Sequence, residues 1–539
     1  MEKKKLNRKP DVVIFSLLFI LIIYLGTEMY RTSKYFSDEL PREIVGSIEL
    51  SEEDMMNDFE YLWSSVTEGM PLLETYKNEM GYDFAARKEM YAEKISKCST
   101  NFDFMCCIES VLNDVPSAHT AFFRSDYDDI TSYMCPGYEF VRTEPKLCDM
   151  TNLWGNEARQ YYSGHRYSAV DFSYAEGRYF ADSSRSDSTE LSGYELTGID
   201  GMTPDEYILS TLSVYHMIWD NSRGKLYRPC IMFNRDGGSE VSVTVKNPEG
   251  GTETLRLYCD LDFEYALYYG TVEIVEDSET NFSAGNIDDS TVYLCIDGFS
   301  GKKGVELTRM IRDFCFKENL DVILDLRENG GGNTAYVRDE VYPYLFSETL
   351  TSDETLYIYK SDAVKKLYTG LYGLVKYASD FDKSDFRMDS DIYTNRFLEG
   401  KSSYEYRGLN TFSPDITVLV SRNTASAADG FVSLVSGFDN TVIVGTNTGG
   451  EKLGGQYMDL LPASKLVYMF VPSLSFNDDG TDNSVYGTSP DIYSELTAEG
   501  FMKRESLIRE NPGRDVYSIS DRLLWDDVLK TALENKHGK

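Results

Sequence analysis

The sequence predicts an α/β protein in which a core of strand–helix–strand units follows a helical subdomain and a β-rich region. Apolar residues recur at helical spacing in residues 50–125, alternate with polar residues in 126–285, and form short buried strands between helices in 290–500. Strands joined through helices favour parallel pairing with right-handed crossovers. A hydrophobic content of 42% provides enough apolar side chains for packed cores.

Composition narrows the range of partners. A formal net charge of −36 over 539 residues argues against nucleic acid or anionic lipid as a partner of the folded part. Only four histidines are present, and the cysteines lack metal-ligand spacing, so we expect neither a metal nor a cofactor. The nine cysteines are an odd number, and their spacing does not define a pairing.

The amino terminus predicts a signal-anchor. Five cations within residues 1–11 form a basic cytoplasmic tail, and an apolar transmembrane segment follows at residues 12–30. No small-residue cleavage signature follows the segment. We expect a single-pass protein of the cell membrane with a linker at residues 31–49 and the remaining chain extracellular. A cleaved signal, which would give a secreted protein, is the alternative.

Residues 50–125 predict a helical subdomain. Ser51 and Asp54 form an N-cap pattern before a first helix, and further helices are expected over Asp83–Lys97 and Phe102–Leu112.

Residues 126–285 predict a small β-domain. A strand and turn are expected within residues 193–201, followed by a short helix over Pro204–Leu212. Glu240–Val245 and Glu253–Leu257 alternate in polarity and predict a hairpin.

From residue 290 the pattern changes to alternating strands and helices, and residues 501–539 form a charged tail with helical segments. A polar linker is expected before this core, and a helical, variable stretch is expected up to about Leu409 in its middle. The predicted elements are the linker Asp277–Asp289, strands Val292–Ile296, Val322–Leu326, Ile416–Val420 and Thr441–Gly445, a helix over Val305–Asn319, strand patterns over Gln456–Phe476, and a tail helix over Asp521–Asn535.

Ser426 lies in a turn of small residues, Ser421-Arg-Asn-Thr-Ala-Ser-Ala-Ala-Asp-Gly430, between a strand and a helix. A serine on such a turn can present a nucleophilic hydroxyl next to a backbone N–H group. The same position is also typical of a serine that caps a helix. The local sequence leaves both interpretations open.

Two further segments have a catalytic and a structural interpretation. Gly330-Gly-Gly332 follows a predicted parallel strand, where backbone N–H groups can face an oxyanion or where the chain needs a tight turn. His119 lies on a turn broken by Pro116, where an imidazole can reach a cleft or be structural.

Four motifs resemble those of the S41 peptidases, the C-terminal (tail-specific) processing proteases and tricorn-type core domains. They appear in the family's order, and the second and third motifs together are quite specific; the resemblance covers the chain from about residue 50 to 495. They are Ser117-Ala-His-Thr120, Asp325-Leu-Arg-Glu-Asn-Gly-Gly-Gly332, Thr424-Ala-Ser-Ala-Ala-Asp429, and Val444 through Gly450 with Gly487-Thr-Ser-Pro-Asp491.

The resemblance implies a ClpP/crotonase-like core and serine endopeptidase activity. Ser426 would be the nucleophile, and the N–H groups of Ala427 and Gly331, with Gly332 as the alternative, would form the oxyanion hole. It also implies a PDZ domain before the core. Residues 194–257 have some strand features of one but no clear carboxylate-binding loop, so we expect a degenerate PDZ-like domain.

The base has two solutions within this family. The tail-specific branch uses a lysine after the second glycine-rich loop, where this chain has Glu451 with Lys452 one residue later. The tricorn-like branch uses the histidine of the first motif, and we favour that branch because His119 fits. Asp482 is the candidate for the third member, with Glu451 as an alternative.

Together these features predict a membrane-anchored extracytoplasmic serine endopeptidase that cleaves polypeptides through an acyl-enzyme. The alternative is a catalytically inactive cell-surface protein on the same scaffold that binds a peptide or hydrophobic ligand.

Overall fold

The computed structural model describes residues 49–261, 282–299, 320–359, 397–453 and 457–536, with residues 311, 312 and 361, but not 118, 124–164, 187–188, 212, 214, 237 or 412. The predicted basic tail, the signal-anchor and most of the linker lie outside the described residues, as does most of the helix expected over Val305–Asn319. Of the helices in the described ranges, none has the length and apolar character needed to span a membrane.

Four helices with a shared apolar core form the N-terminal unit. The predicted capping box of Ser51 and Asp54 is confirmed. The second predicted helix begins with a 3₁₀ turn at Phe84–Arg87. The sequence did not indicate α2, a nine-residue helix entered at Pro71. The helices are α1 (Glu52–Gly69), α2 (Leu72–Met80), α3 (Lys88–Ile95) and α4 (Asn101–Asn113), and the strand after the His119 turn is β1 (Ala121–Phe123).

The middle region folds around an eight-stranded antiparallel sheet. Its strands are β2 (His165–Ser168), β3 (Phe172–Ala175), β4 (Arg178–Ala181), β5 (Glu195–Ile199), β8 (Cys230–Ile231), β9 (Asn234–Asp236), β10 (Glu240–Lys246) and β11 (Thr252–Leu261). The strand order is β8-β3-β4-β5-β10-β11-β2-β9, and the predicted hairpin is confirmed as β10–β11. Helix α5 (Pro204–Ser210) and a ribbon of β6 (Ile218–Asp220) and β7 (Lys225–Tyr227) accompany the sheet.

The core sheet has six strands, and the predicted parallel pairing is confirmed for four neighbouring pairs. The expectation of a linker at Asp277–Asp289 is wrong for residues 282–286, which form the first strand of this sheet. This strand pairs antiparallel with the next one through backbone hydrogen bonds, which do not require an apolar sequence pattern. In spatial order the strands are β12 (Phe282–Asn286), β13 (Thr291–Ile296), β14 (Asp321–Asp325), β17 (Ile416–Val420), β18 (Thr441–Gly445) and β22 (Ile492–Tyr493).

Two small sheets flank the core. The stretch before Leu409, expected to be helical and variable, contains a helix over residues 334–345 and, in addition, two eleven-residue strands that pair along their full length. Their polar and β-branched residues are typical of strands with one exposed face. One sheet has the order β16 (Phe397–Arg407), β15 (Thr349–Tyr359), β21 (Ser473–Leu474), and the other has β1, β20 (Val467–Phe470), β19 (Tyr457–Leu460).

Helices cover the core sheet, and the C-terminal segment belongs to the fold. Val528 and Leu529 pack on Ile323 and Leu419 of the sheet, so this tail closes one face. The helices are α6 (Thr334–Leu345, with a π-helical turn at Val337–Val341), α7 (Ala427–Val435), α8 (Asn483–Tyr486), α9 (Ala498–Glu510), α10 (Ile519–Trp525) and α11 (Asp527–Lys536).

Candidate active site

Three loops meet at one edge of the core sheet. Strands β14, β17 and β18 are parallel neighbours, so their carboxyl ends lie at the same edge. The glycine loop (residues 326–333) follows β14, the nucleophile turn (residues 421–426) follows β17, and a second loop (residues 446–451) follows β18. The topology therefore brings together loops that are far apart in sequence.

Ser426 occupies the N-cap position of α7 but does not cap the helix. Its φ of 57° and ψ of −126° are unusual for a residue with a side chain, and its hydroxyl makes no capping hydrogen bond. Such a conformation costs about 1–3 kcal/mol and is typical of functional sites. The hydroxyl is free of hydrogen bonds to any other described residue, so it is available to a substrate.

The glycine loop is fastened to the nucleophile turn. The Ala425 N–H donates to the Asn329 carbonyl at 3.1 Å, and the Thr424 hydroxyl donates to the Leu326 carbonyl at 2.7 Å. Asn329 is fully buried, and its side chain donates to the Ile296 carbonyl at 2.9 Å. The two segments are therefore held as one rigid unit.

The predicted oxyanion donors differ in availability. The Gly331 N–H donates to Asn329 Oδ1 at 2.9 Å and so is already bound in this arrangement, and the role of Gly331 as an oxyanion donor stays a prediction. Gly332 lies opposite Phe299 in an isolated parallel β-bridge. The hydrogen bonds of this bridge run from the Phe299 N–H to the Gly331 carbonyl and from the Asn333 N–H to the Phe299 carbonyl. The Gly332 N–H points away from Phe299, and neither it nor the Ala427 N–H binds another described residue. Gly332 and Ala427 therefore remain as donors.

Gly331 is required for a steric reason. Its φ is +109°, and a Cβ atom there would lie 2.6 Å from the Ser426 Cβ. We expect Gly331→Ala to destabilise the protein by about 3 kcal/mol, through backbone strain and overlap with the nucleophile turn. Urea unfolding followed by circular dichroism measures this. Gly330→Ala is the matched control, because nothing lies within 4 Å of its added Cβ. Equal unfolding midpoints would contradict the close approach of the two loops.

The Asp-Leu-Arg part of the second motif anchors this loop. Arg327 contacts Asp325 at 2.6 Å and Asp526, between α10 and α11, at 2.7 Å. Although Asp325 is buried, the Arg327 charge lowers its pKa to about 2. The motif thus supplies an ion pair that positions the glycine loop against the C-terminal helices.

His119 lies against Glu451. The carboxylate is 1% exposed, and its Oε2 is 2.9 Å from His119 Nδ1 and 2.9 Å from the His119 backbone N. The Nδ1 atom lies within ion-pair distance of the carboxylate but makes no well-aligned hydrogen bond, so the contact is an ion pair when the ring is protonated. The Ser117 hydroxyl also donates to Glu451. This buried carboxylate therefore holds both the ring and the backbone of the histidine turn.

Glu451 also places the histidine near the nucleophile turn. The Ser426 N–H donates to the Gly450 carbonyl at 2.9 Å, and Gly450 directly precedes Glu451. Ser426, Glu451 and His119 are therefore connected through successive contacts. Burial alone would lower the pKa of His119, but the Glu451 charge outweighs it and raises the pKa above its ordinary value.

A buried ion cluster holds the histidine turn from its other side. Asp114 follows α4 and is 2% exposed; it contacts Arg87 at 2.7 Å and binds Arg228 of the middle region and the Tyr91 hydroxyl. Arg228 itself is 1% exposed. The turn is thus fixed between α4 and β1, and β1 pairs with β20 beside the core.

Asp482 makes no hydrogen bond or ion pair to His119 in this arrangement, and its assignment as the third member stays a prediction that the observed contacts do not support. It caps α8, where its Oδ1 accepts from the Ser484 N–H at 2.9 Å, and Thr75 lies 3.5 Å from its Oδ2. Burial, together with the nearby carboxylates of Glu79 and Glu451, raises its pKa to about 7. Glu451, the alternative in the sequence analysis, occupies the position beside the ring.

Lys452 points away from the nucleophile. Its Nζ donates to the Ser433 hydroxyl at 3.0 Å. Ser433 is seven residues beyond Ser426 along α7, which corresponds to about 10 Å of helix. Lys452 therefore does not have the position that a base for Ser426 requires.

A cavity of about 400 Å³ adjoins the nucleophile turn. One wall comes from the nucleophile turn and the glycine loop, including Ala425 and Gly330. The other comes from the middle region, including Met217 and Ile218. The Met217 N–H donates to the Asn113 carbonyl at 2.7 Å, which ties this wall to the end of α4. The cavity offers space for a substrate beside Ser426.

Glu451 was only the alternative candidate for the third member, because in the sequence it stands where the tail-specific branch has its lysine. The sequence did contain one indication of its position near the site, since Glu451 is an acidic residue directly after the glycines Gly449-Gly450. The structure adds a second indication: Glu451 has a φ of 62°, a strained backbone conformation that is typical of functional sites, and it lies beside His119. No group of residues suited to a metal ion is found in the described ranges.

The fold and the sequence family together define a serine-type peptidase. Residues 290–494 match the model of peptidase family S41, and this part of the chain is an S41 peptidase domain. A search of curated protein sequences found no match.

Solved structures agree with the fold. Mature CPAF complexed with lactacystin has a TM-score of 0.50 and 13% identity, with 88% of this chain and 99% of that chain covered. At this identity the likeness shows the fold alone. The photosystem II D1 C-terminal processing protease has a TM-score of 0.35 and 14% identity, with 83% of this chain and 94% of that chain covered. The tricorn protease has a TM-score of 0.31 and 13% identity, with 85% of this chain and 37% of that chain covered.

Proposed function

We propose that the protein is a serine endopeptidase in which Ser426 is the nucleophile, His119 the base and Glu451 the residue that orients His119. The observation that carries the proposal is the contact of the buried Glu451 carboxylate with two atoms of His119, the ring Nδ1 and the backbone N–H. Glu451 directly follows Gly450, whose carbonyl accepts the Ser426 N–H. A carboxylate on Nδ1 directs the other ring nitrogen outward as the base, which is the logic of a catalytic triad.

In this mechanism His119 takes the Ser426 proton while the hydroxyl oxygen attacks the scissile carbonyl carbon. The resulting oxyanion accepts hydrogen bonds from the Ala427 and Gly332 N–H groups, and losing one such donor typically costs about 3 kcal/mol of barrier. The imidazolium then protonates the leaving amine, and water hydrolyses the acyl-enzyme by the same route. Glu451 stabilises the imidazolium throughout.

Covalent labelling tests the nucleophile. A fluorophosphonate probe phosphonylates a serine only when its hydroxyl is activated, so we expect the full-length protein to be labelled and Ser426→Ala to be unlabelled. Ser436→Ala at the far end of α7 is the matched control and should retain labelling, since the Ser436 hydroxyl binds only the Ser433 carbonyl among the described residues. Mass spectrometry of the labelled peptide locates the adduct. A folded protein without labelling would favour the inactive binding protein instead.

The proposal also places the peptidase domain outside the cytoplasm, anchored by residues 12–30. The support is the basic flank and apolar segment of the sequence. Membrane fractionation of the full chain and of a variant lacking residues 1–30 tests the anchor, and recovery of both in the soluble fraction would contradict it.

A further inference from the structure

We propose that Cys98 and Cys107 form a disulfide site in the N-terminal unit. Their sulfur atoms lie 3.6 Å apart, and both cysteines are thiols in this structure. A disulfide bond is about 2.05 Å long, so about 1.5 Å of approach is needed. Rotation of the two side chains is the movement by which the bond would form.

The surrounding structure holds the two thiols in place. Cys98 lies in the turn after α3 and is partly buried, whereas Cys107 is 4% exposed on the packed face of α4. A capping box of Thr100 and Asp103 fixes the turn that joins the two helices. Cys106 precedes Cys107 on α4, but successive helical residues point about 100° apart, and the sulfur beside Cys98 is that of Cys107.

The oxidant is a small-molecule disulfide such as oxidised glutathione. The Cys98 thiolate attacks one of its sulfurs, which releases one thiol and leaves a mixed disulfide on Cys98. The Cys107 thiolate then attacks the Cys98 sulfur, forms the Sγ–Sγ bond and releases the second thiol. Two protein thiols are oxidised, one disulfide is reduced, and the two protons end on the released thiols.

The bond would join the turn after α3 to the middle of α4, the helix that leads into the His119 turn. It closes a short loop, which restricts the unfolded chain. An extracytoplasmic location, as proposed above, supplies the oxidising environment in which such bonds persist. The proposed bond itself does not depend on the catalytic assignment.

The test uses the full-length protein treated with oxidised glutathione at pH 8.5, because contact with Cys107 and burial raise the pKa of the Cys98 thiol. Remaining thiols are alkylated, and the chain is cut with trypsin and before Asp103, which separates Cys98 from Cys106 and Cys107. Mass spectrometry should find the two peptides cross-linked in most molecules. Reduction should restore alkylation and lower the thermal midpoint by about 2 °C.

Single substitutions locate the bond. Cys107→Ser should abolish the cross-link, and Cys106→Ser should retain it. A cross-link that survives in Cys107→Ser, or alkylation of both Cys98 and Cys107 in the oxidised protein, would overturn the proposal. Because mass spectrometry reads the bond directly, neither outcome depends on peptidase activity.

Discussion

Replacing His119 by alanine is expected to lower kcat/KM for peptide hydrolysis by about 10⁴- to 10⁶-fold, because Ser426 would lose the group that takes its proton. Lys452→Met is the comparison, since it keeps the aliphatic stem and removes the amine that binds Ser433. Its activity should stay close to that of the unsubstituted protein. Steady-state kinetics on a quenched fluorescent peptide library measure both variants. Loss of activity in Lys452→Met alone would make lysine the base and refute the His119 assignment.

The pH profile gives a second reading of the same assignment. The base must be neutral to accept a proton, so kcat/KM should fall as the pH drops through the pKa of His119. Glu451 raises that pKa, so this acid limb should lie above the ordinary value of 6.5. In Glu451→Gln the raising charge is lost, and the limb should move to lower pH while the rate falls. A purely structural role for Glu451 would reduce activity without moving the limb.

Replacing Asp114 by asparagine is expected to destabilise the protein by about 3–5 kcal/mol, because the charge of buried Arg228 would lose its carboxylate partner. Arg228 is 1% exposed, and in the described part of the chain Asp114 is the carboxylate that contacts it. The cluster also joins the middle region to the histidine turn, so peptidase activity should fall as well. Thermal and urea unfolding of the full chain measure the loss.

Glu240→Gln is the matched control for this prediction. It breaks the Glu240–Arg256 ion pair on the middle sheet, where the arginine side chain is 73% exposed. Exposed pairs contribute about 0–1 kcal/mol, so its unfolding midpoint should barely change. If Asp114→Asn is equally mild, the buried cluster does not hold the two regions together.

The strands and helices of the core could be predicted because buried elements leave strong local patterns. Val322–Leu326 and Ile416–Val420 are almost continuously apolar, as expected of strands covered on both faces. The two strands Thr349–Tyr359 and Phe397–Arg407 were missed, because their pairing is non-local and their residues are mostly polar or β-branched. The edge strand Phe282–Asn286 was missed for a related reason, since it follows a polar stretch and gains its stability from one neighbour.

For the candidate site, the sequence indicated which loops carry the chemistry but not how their atoms are oriented. Ser426, His119 and the glycine loop were found from their motifs. Whether a backbone N–H faces a substrate or a neighbouring side chain depends on one peptide orientation, so the motif could not indicate that the Gly331 N–H is bound to Asn329 in this arrangement. Likewise, only the three-dimensional arrangement distinguishes Glu451 from Asp482 as the neighbour of His119.

The ion pair between Arg327 and Asp526 has a consequence for synthesis of the protein. Arg327 anchors the glycine loop, yet one of its two carboxylates is made about 200 residues later in translation. In a nascent chain that has not reached Asp526, Arg327 has Asp325 as its remaining carboxylate partner in the pair, and the core sheet lacks the covering residues Val528 and Leu529. The anchoring of the glycine loop by Arg327 is therefore complete only after the C-terminal helices have been translated.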